Sequence, residues 1–360
     1  MKQRSLTARR RVVSSDRCLS LGLSLPRRAN GKGEKTVAAS RHKHNTMTGN
    51  SSALLAFVFL LLPQILAAAD SPQKIRIGFP SLAFSYMPFY VAQEKGFLKK
   101  SGLDAEYIQM RTTIQPQAVI NGNINFFPSV STGISAAASN LPLVVVLSFC
   151  DGSPWMLVTS KEINKPQDLI GRRVAISGIR TSPHYFLQAA LKKWEINEKD
   201  VGIITTGGTS DSFTALISGQ VSGTVLTPPF DDKAVSLGYK KFMFLGDLAD
   251  IPYVGVVTSL SEIKNNRETV RRTLSSLMEA VGWIRANRAE SVKMIETKFK
   301  VKETEAEQTY ATLIKLLNKD GRLNPKIARG YLDLLRQERP IAADLDPQRF
   351  LDFSMLPAAR

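Results

Sequence analysis

Apolar and polar positions alternate from Lys74 to Phe79 (KIRIGF), and Asp104–Met110 forms a second such run, which predicts two strands. Between them, 88–100 carries a helical pattern that stops at Ser101-Gly102. The alternation continues with a helix over 114–121, a strand over 124–127, a helix over 132–139 and an apolar strand at 143–149 (LVVVLSF). An unbroken apolar run of strand length is the mark of a sheet buried on both faces. The pattern then restarts. Strands are predicted at 155–159, 173–177, 201–205, 221–226 and 242–245, with helices at 183–194 and 210–218. After a strand at 253–258 the chain turns helical. Val270, Leu274, Leu277, Met278, Val281 and Ile284 recur every three or four residues, and three more amphipathic segments follow.

Strand and helix in alternation predict βα units. Two rounds of them give two α/β lobes, with the strands near 155 and 253 crossing between them. The helical tail has no sheet of its own, so it is expected to pack on the first lobe. This places 70–160 and 253–360 in lobe 1 and 161–252 in lobe 2. AVINGNIN at 118–125 also matches ALISGQVS at 215–222. The match is either a trace of two similar lobes or a coincidence between two ordinary helix-to-strand joints with a glycine cap.

Before this region, Ala53–Leu62 is apolar, Pro63-Gln64 ends the run, and Ala67-Ala68-Ala69 precedes Asp70. A membrane span needs about 20 apolar residues. The shorter run followed by an A-x-A site predicts a cleavable export signal over 47–69. Residues 1–46 hold 12 Lys and Arg against Asp16 and Glu34. Such a leader has no apolar pattern from which to build a core, so it is expected to be disordered. Met47 is the alternative start. No cysteine follows the apolar run, so a lipid anchor is not expected.

The full chain carries a net charge of +17, which raises the question of nucleic-acid binding. Ten of those charges sit in the leader, and the remainder, 36 Lys and Arg against 29 Asp and Glu, is +7 and dispersed. That argues against nucleic acid and for a general attraction to anions. Beyond the leader there is one cysteine, Cys150, and one histidine, His184. An internal disulfide is excluded, no zinc spacing occurs, and no G-x-S-x-G accompanies His184. Cys150 reads as a buried apolar residue ending a strand.

Four stretches carry a family resemblance: PFYVAQEKGFLKKSGLDAEY (88–107), GNINFFPSVSTGISAAASNLPL (122–143), DLIGRRVAISG (168–178) and LKKWEINEKDV (191–201). In them, and over nearly all of 74–360, the chain resembles the solute-binding proteins of ABC importers, in the NMT1/THI5-like group that includes sulfonate, nitrate and taurine binders. The resemblance implies a two-lobed type II periplasmic-binding-protein fold with two crossover hinge segments and a C-terminal helical tail. It also implies a monomer in the periplasm that delivers a small molecule to a membrane permease, with no cofactor. Enzymes and sensory modules share this fold. The thiamine-pathway enzyme of the fold carries a cysteine-rich CCCFC stretch that is absent here, and no helix-turn-helix or kinase segment is present.

Ligands of open α/β sheets bind beyond the carboxyl ends of strands, where helix N-termini point. Three such places stand out. Phe84, Ser85 and Tyr86 follow the first strand. Ser129, Ser131 and Thr132 precede a helix as an N-cap cluster. In GIRTSPHY (178–185), Arg180, Thr181, Ser182 and His184 surround a helix start with Ser182 as N-cap and Pro183 at the first position. Trp155 either stacks on a flat ligand or lies in the core, and Phe230 closes a Thr227-Pro228-Pro229 loop. The expected ligand is an organic anion such as a sulfonate, nitrate or an aromatic acid, or else a thiamine-precursor pyrimidine.

Overall fold

A computed structural model describes residues 71–358, so the basic leader and the export signal read over 47–69 lie outside the described residues. The first lobe is built on strands β1 (Gln73–Phe79), β2 (Leu103–Gln109), β3 (Phe127–Ser129) and β4 (Leu143–Ser148). Its helices are α1 (Met87–Glu94), α2 (Phe97–Lys100), α3 (Gln115–Ile120) and α4 (Val130–Ala137). The second lobe contains β5 (Met156–Thr159), β6 (Arg173–Ile176), β7 (Gly202–Thr205), β8 (Gly223–Leu226) and β9 (Lys240–Phe244). Helices α5 (Ser182–Lys193), α6 (Thr209–Ile217) and α7 (Phe230–Ser236) flank that sheet. The chain returns through β10 (Val254–Ser259) and ends in α8 (Leu260–Asn265), α9 (Arg267–Ala286), α10 (Arg288–Phe299), α11 (Glu303–Leu316) and α12 (Pro325–Arg336).

The two sheets share one topology. In the second lobe the order is β7-β6-β8-β5-β9, with β5 antiparallel to both neighbours. In the first lobe β1 pairs with β2 and is joined to the β3 segment through Ile77 and Phe126, while β10 runs antiparallel between β3 and β4. Its order is therefore β2-β1-β3-β10-β4. Each sheet takes its one antiparallel strand from a crossing segment. The AVINGNIN and ALISGQVS repeats fall at equivalent joints, α3 to β3 and α6 to β8, and their glycines Gly122 and Gly219 share a left-handed φ of 71° and 73°.

Several expected elements are corrected. The first lobe was expected to reach residue 160, but β5 is hydrogen-bonded into the second sheet between β8 and β9. The helix over 88–100 is two helices, because Gly96 takes φ 75° between them. β3 lies three residues later than the 124–127 run, and α4 begins at Val130 instead of 132. The loop ending at Phe230 runs straight into α7.

The core follows from the strand pattern: every residue of β4, β8 and β10 is buried. The long helix α9 covers α1 and α2 on lobe 1 and buries Val270, Leu274, Leu277 and Ile284. The tail also reaches lobe 2. Phe299 of α10 packs edge-on against Phe230 at 6.0 Å, Glu305 accepts from Ser236 at 2.7 Å, and Tyr331 of α12 meets Tyr185 at 5.9 Å.

The two crossings, 149–155 and 245–253, lie side by side. Phe149 N–H donates to the Val254 carbonyl and Leu245 N–H to the Trp155 carbonyl, both at 2.8 Å. A Cβ on Gly246 would fall 2.3 Å from the Ser153 carbonyl oxygen, so only glycine permits this approach.

Candidate functional site

The loops after β1, β2 and β3 of lobe 1 face those after β6 and β7 of lobe 2. Four helices of eight residues or more begin there: α1, α4, α5 and α6. None has a side chain capping its first N–H groups. Pro88 and Pro183 occupy the first turns of α1 and α5, where a missing donor costs nothing. Each such terminus carries about half a positive charge, although the first N–H of α1, on Met87, donates to the Phe84 carbonyl and that of α4, on Val130, to the Tyr253 carbonyl at 3.2 Å.

Between them lies a cavity of about 40 Å³. Pockets for drug-sized ligands run to about 300–1,000 Å³, so this one suits a small solute. Lobe 1 contributes Tyr86, Thr112 and Ser129 to its wall, the crossings contribute Trp155 and Tyr253, and lobe 2 contributes Ser177, Thr181, Ser182 and Thr209. No charged side chain lines it. Trp155 and Tyr253 meet edge to face at 5.6 Å and form an aromatic wall at the hinge. Burial pushes the phenols of Tyr86 and Tyr253 well above their ordinary pKa, so both remain protonated donors. Cys150, just behind the crossing, is buried, and its thiol is pushed up by that burial.

The lobes are in contact. Ser131 Oγ and Ser182 Oγ lie 2.7 Å apart, joining the start of α4 to the start of α5. Ser129 donates to Thr132 at 2.8 Å and Thr181 donates to the Gly178 carbonyl at 2.6 Å, so these hydroxyls are held in place. Gly208 lies so near lobe 1 that a Cβ there would fall 2.2 Å from Ser81 Oγ across the cleft.

Of the residues picked from sequence, Tyr86, Ser129, Trp155, Thr181 and Ser182 line the cavity, and Ser131 and Thr132 bond to members of that set. Ser85 is buried beside Tyr253, and Phe84 is fully buried in the lobe 1 core. The rest lie elsewhere. Arg180 is exposed at φ 61°. His184 is turned away: its Nδ1 accepts from Arg180 N–H at 3.1 Å and its Nε2 meets Glu198 at 2.9 Å. Phe230 belongs to a separate cluster with Phe213 and Phe299. The N-cap of α5 is Thr181, not Ser182, which frees the Ser182 hydroxyl to cross the cleft.

Thr112, Ser177, Thr209 and Tyr253 were missed. For Thr209 the signal was present: Gly207-Gly208-Thr209 opens a helix after a strand, in the same position as the stretch before α5. Among the described residues no group of His, Cys, Asp and Glu could hold a metal ion, and no helix is long and apolar enough to cross a membrane.

Residues 83–291 match the family described as NMT1/THI5 like. The taurine-binding periplasmic protein of Escherichia coli K12 is 36% identical over 121 residues, 32% of this chain and 38% of that relative. A putative binding protein of Brucella abortus is 25% identical over 309 residues, 82% of this chain and 95% of its own length. In structure, the periplasmic aliphatic sulphonate binding protein of E. coli superposes with a TM-score of 0.59 at 18% identity, covering 78% of this chain and 97% of that one. That likeness assigns the periplasmic binding protein fold.

Proposed function

Because this chain belongs to the NMT1/THI5-like family, we propose that it is the solute-binding component of an ABC importer, capturing a small anion between its lobes and delivering it to a membrane permease. The observation that carries this reading is the cavity itself. Hydroxyls from both lobes and the starts of four helices converge on it, and no charged side chain enters it. Neutral donors with fixed dipoles stabilise an oxoanion without the desolvation cost of a buried counter-ion. A ligand that touches both lobes favours their closure about the crossings at 149–155 and 245–253. The division into lobe 1, 71–150 with 253–358, and lobe 2, 155–245, belongs to this same proposal.

The wall holds no nucleophile beside a general base, and the buried Cys150 thiol stays protonated, so capture requires no reaction. Relatives named for taurine and aliphatic sulphonates support an organic sulfonate as the anion. The export signal read over 47–69 and the periplasmic relatives support a periplasmic location. The chain then acts as a monomer with no cofactor and no nucleic acid.

A thermal-shift panel of sulfonates, carboxylates, nitrate and pyrimidines tests the reading. At 100 times its dissociation constant a bound ligand adds about 2.7 kcal/mol of stability. A panel in which no compound raises the melting temperature overturns it.

A further inference from the structure

Resting on the anion-capture reading, we infer that the cavity selects anions carrying no ammonium group, and so prefers an alkanesulfonate to the aminosulfonate of equal length. Thr112 of lobe 1 and Thr209 of lobe 2 are each 7% exposed and line the cavity, and among the described residues their hydroxyls have no side-chain hydrogen bond. The Tyr86 phenol adds a donor, and the Tyr253 phenol, beside Ser85, adds another. These groups open onto the cavity, where an oxoanion supplies several acceptor lone pairs at once.

The wall offers an ammonium group far less. No carboxylate lines it. Of the acidic side chains of lobe 2, Asp231 holds Lys241 through Oδ2 at 2.9 Å and Asp211 is partly exposed; neither lines the cavity. A hydroxyl that donates to the anion keeps its lone pairs, but a neutral oxygen compensates an ammonium group less than a carboxylate does. The faces of Trp155 and Tyr253 attract a cation, yet a ring face restores only a small part of the hydration that a primary ammonium loses. A zwitterion is thus bound at one end and left unpaired at the other. The taurine-binding relative matches over 121 residues only, so its name does not fix the ligand here.

Isothermal titration of the full chain with matched pairs tests this: ethanesulfonate against taurine, and propionate against β-alanine. The expected result is at least tenfold tighter binding of the amine-free member of any pair that binds. Thr209→Asp places a carboxylate in the wall at the first turn of α6, where an acidic residue is well tolerated, and should narrow or reverse the preference. Taurine binding as tightly as ethanesulfonate overturns the selectivity and leaves anion capture standing. No binding by either pair or by nitrate overturns anion capture, and the selectivity with it.

Discussion

Gly208→Ala is expected to hinder closure without harming the fold. Gly208 has φ −164°, extended backbone that alanine adopts freely. Across the cleft, however, its added Cβ would lie 2.2 Å from Ser81 Oγ, 2.3 Å from Ser81 Cβ and 3.2 Å from the Pro80 carbonyl oxygen. Atoms of this kind separate to about 3.5–4.0 Å, so the lobes must part by more than an ångström at this point. Ser81 is 6% exposed and has no room to step aside. Overpacking of this size costs about 1–3 kcal/mol. The cost falls on the closed form alone and so appears in the affinity, as about a 5- to 150-fold weaker Kd at 1.4 kcal/mol per tenfold. Isothermal titration with the best ligand of the panel measures it, with the ligand-free melting temperature as the control. Ser81→Gly in the same chain removes both clashing atoms and should restore most of the affinity. A Kd for Gly208→Ala within twofold of the parent refutes the reasoning, as does a loss that Ser81→Gly leaves unchanged.

His184→Ala breaks the bonds to Arg180 N–H and Glu198; urea unfolding should show a loss of about 1–3 kcal/mol, whereas ligand affinity stays within twofold because the ring faces away from the cavity. A tenfold affinity loss would return His184 to the site. The Asp168 carboxylate accepts backbone N–H groups from Asn164 and Lys165, which hold its pKa below the usual value. Its stabilisation is present above the unfolded pKa of about 3.9 and is lost as pH falls through the lower folded value. Asp168→Asn should therefore lower the urea midpoint at pH 7, and the gap should narrow as pH falls below about 4; a gap that stays equal contradicts this. Cys150 should resist an aromatic disulfide reagent at pH 8 in the native chain and react fully in urea, since the buried thiol yields no thiolate. Rapid native labelling would show that the crossing is open.

Elements with strong local signals were legible. The runs at 74–79, 143–149 and 253–258 became β1, β4 and β10 within a residue or so, because burial fixes a strand's pattern directly. β3 was misplaced because it is only three residues long, and the Phe126-Phe127 pair before and within it is buried on both sides. Cap chemistry located Ser129, Thr181 and Ser182, since a helix start shows itself in sequence. Thr112, Thr209 and Tyr253 come from three separate segments, and only tertiary contact brings them together. His184 and Phe230 looked functional for the opposite reason. Their partners, Glu198 and Phe299, lie 14 and 69 positions away, and nothing near them in sequence announces the pairing.

The exchange of one antiparallel strand between the sheets orders the chain's assembly in time. The second sheet closes from a continuous run, Met156–Phe244, with each strand available soon after the last. The first cannot close until Val254–Ser259 has been synthesised, because β10 alone joins β3 to β4. Until then those two strands carry unpaired edges, and long-range pairing of this kind is slow. A chain emerging N-terminus first, on the ribosome or across a membrane, therefore has four strands of its first lobe and no complete sheet once residue 150 is out, and the half begun first is the half finished last.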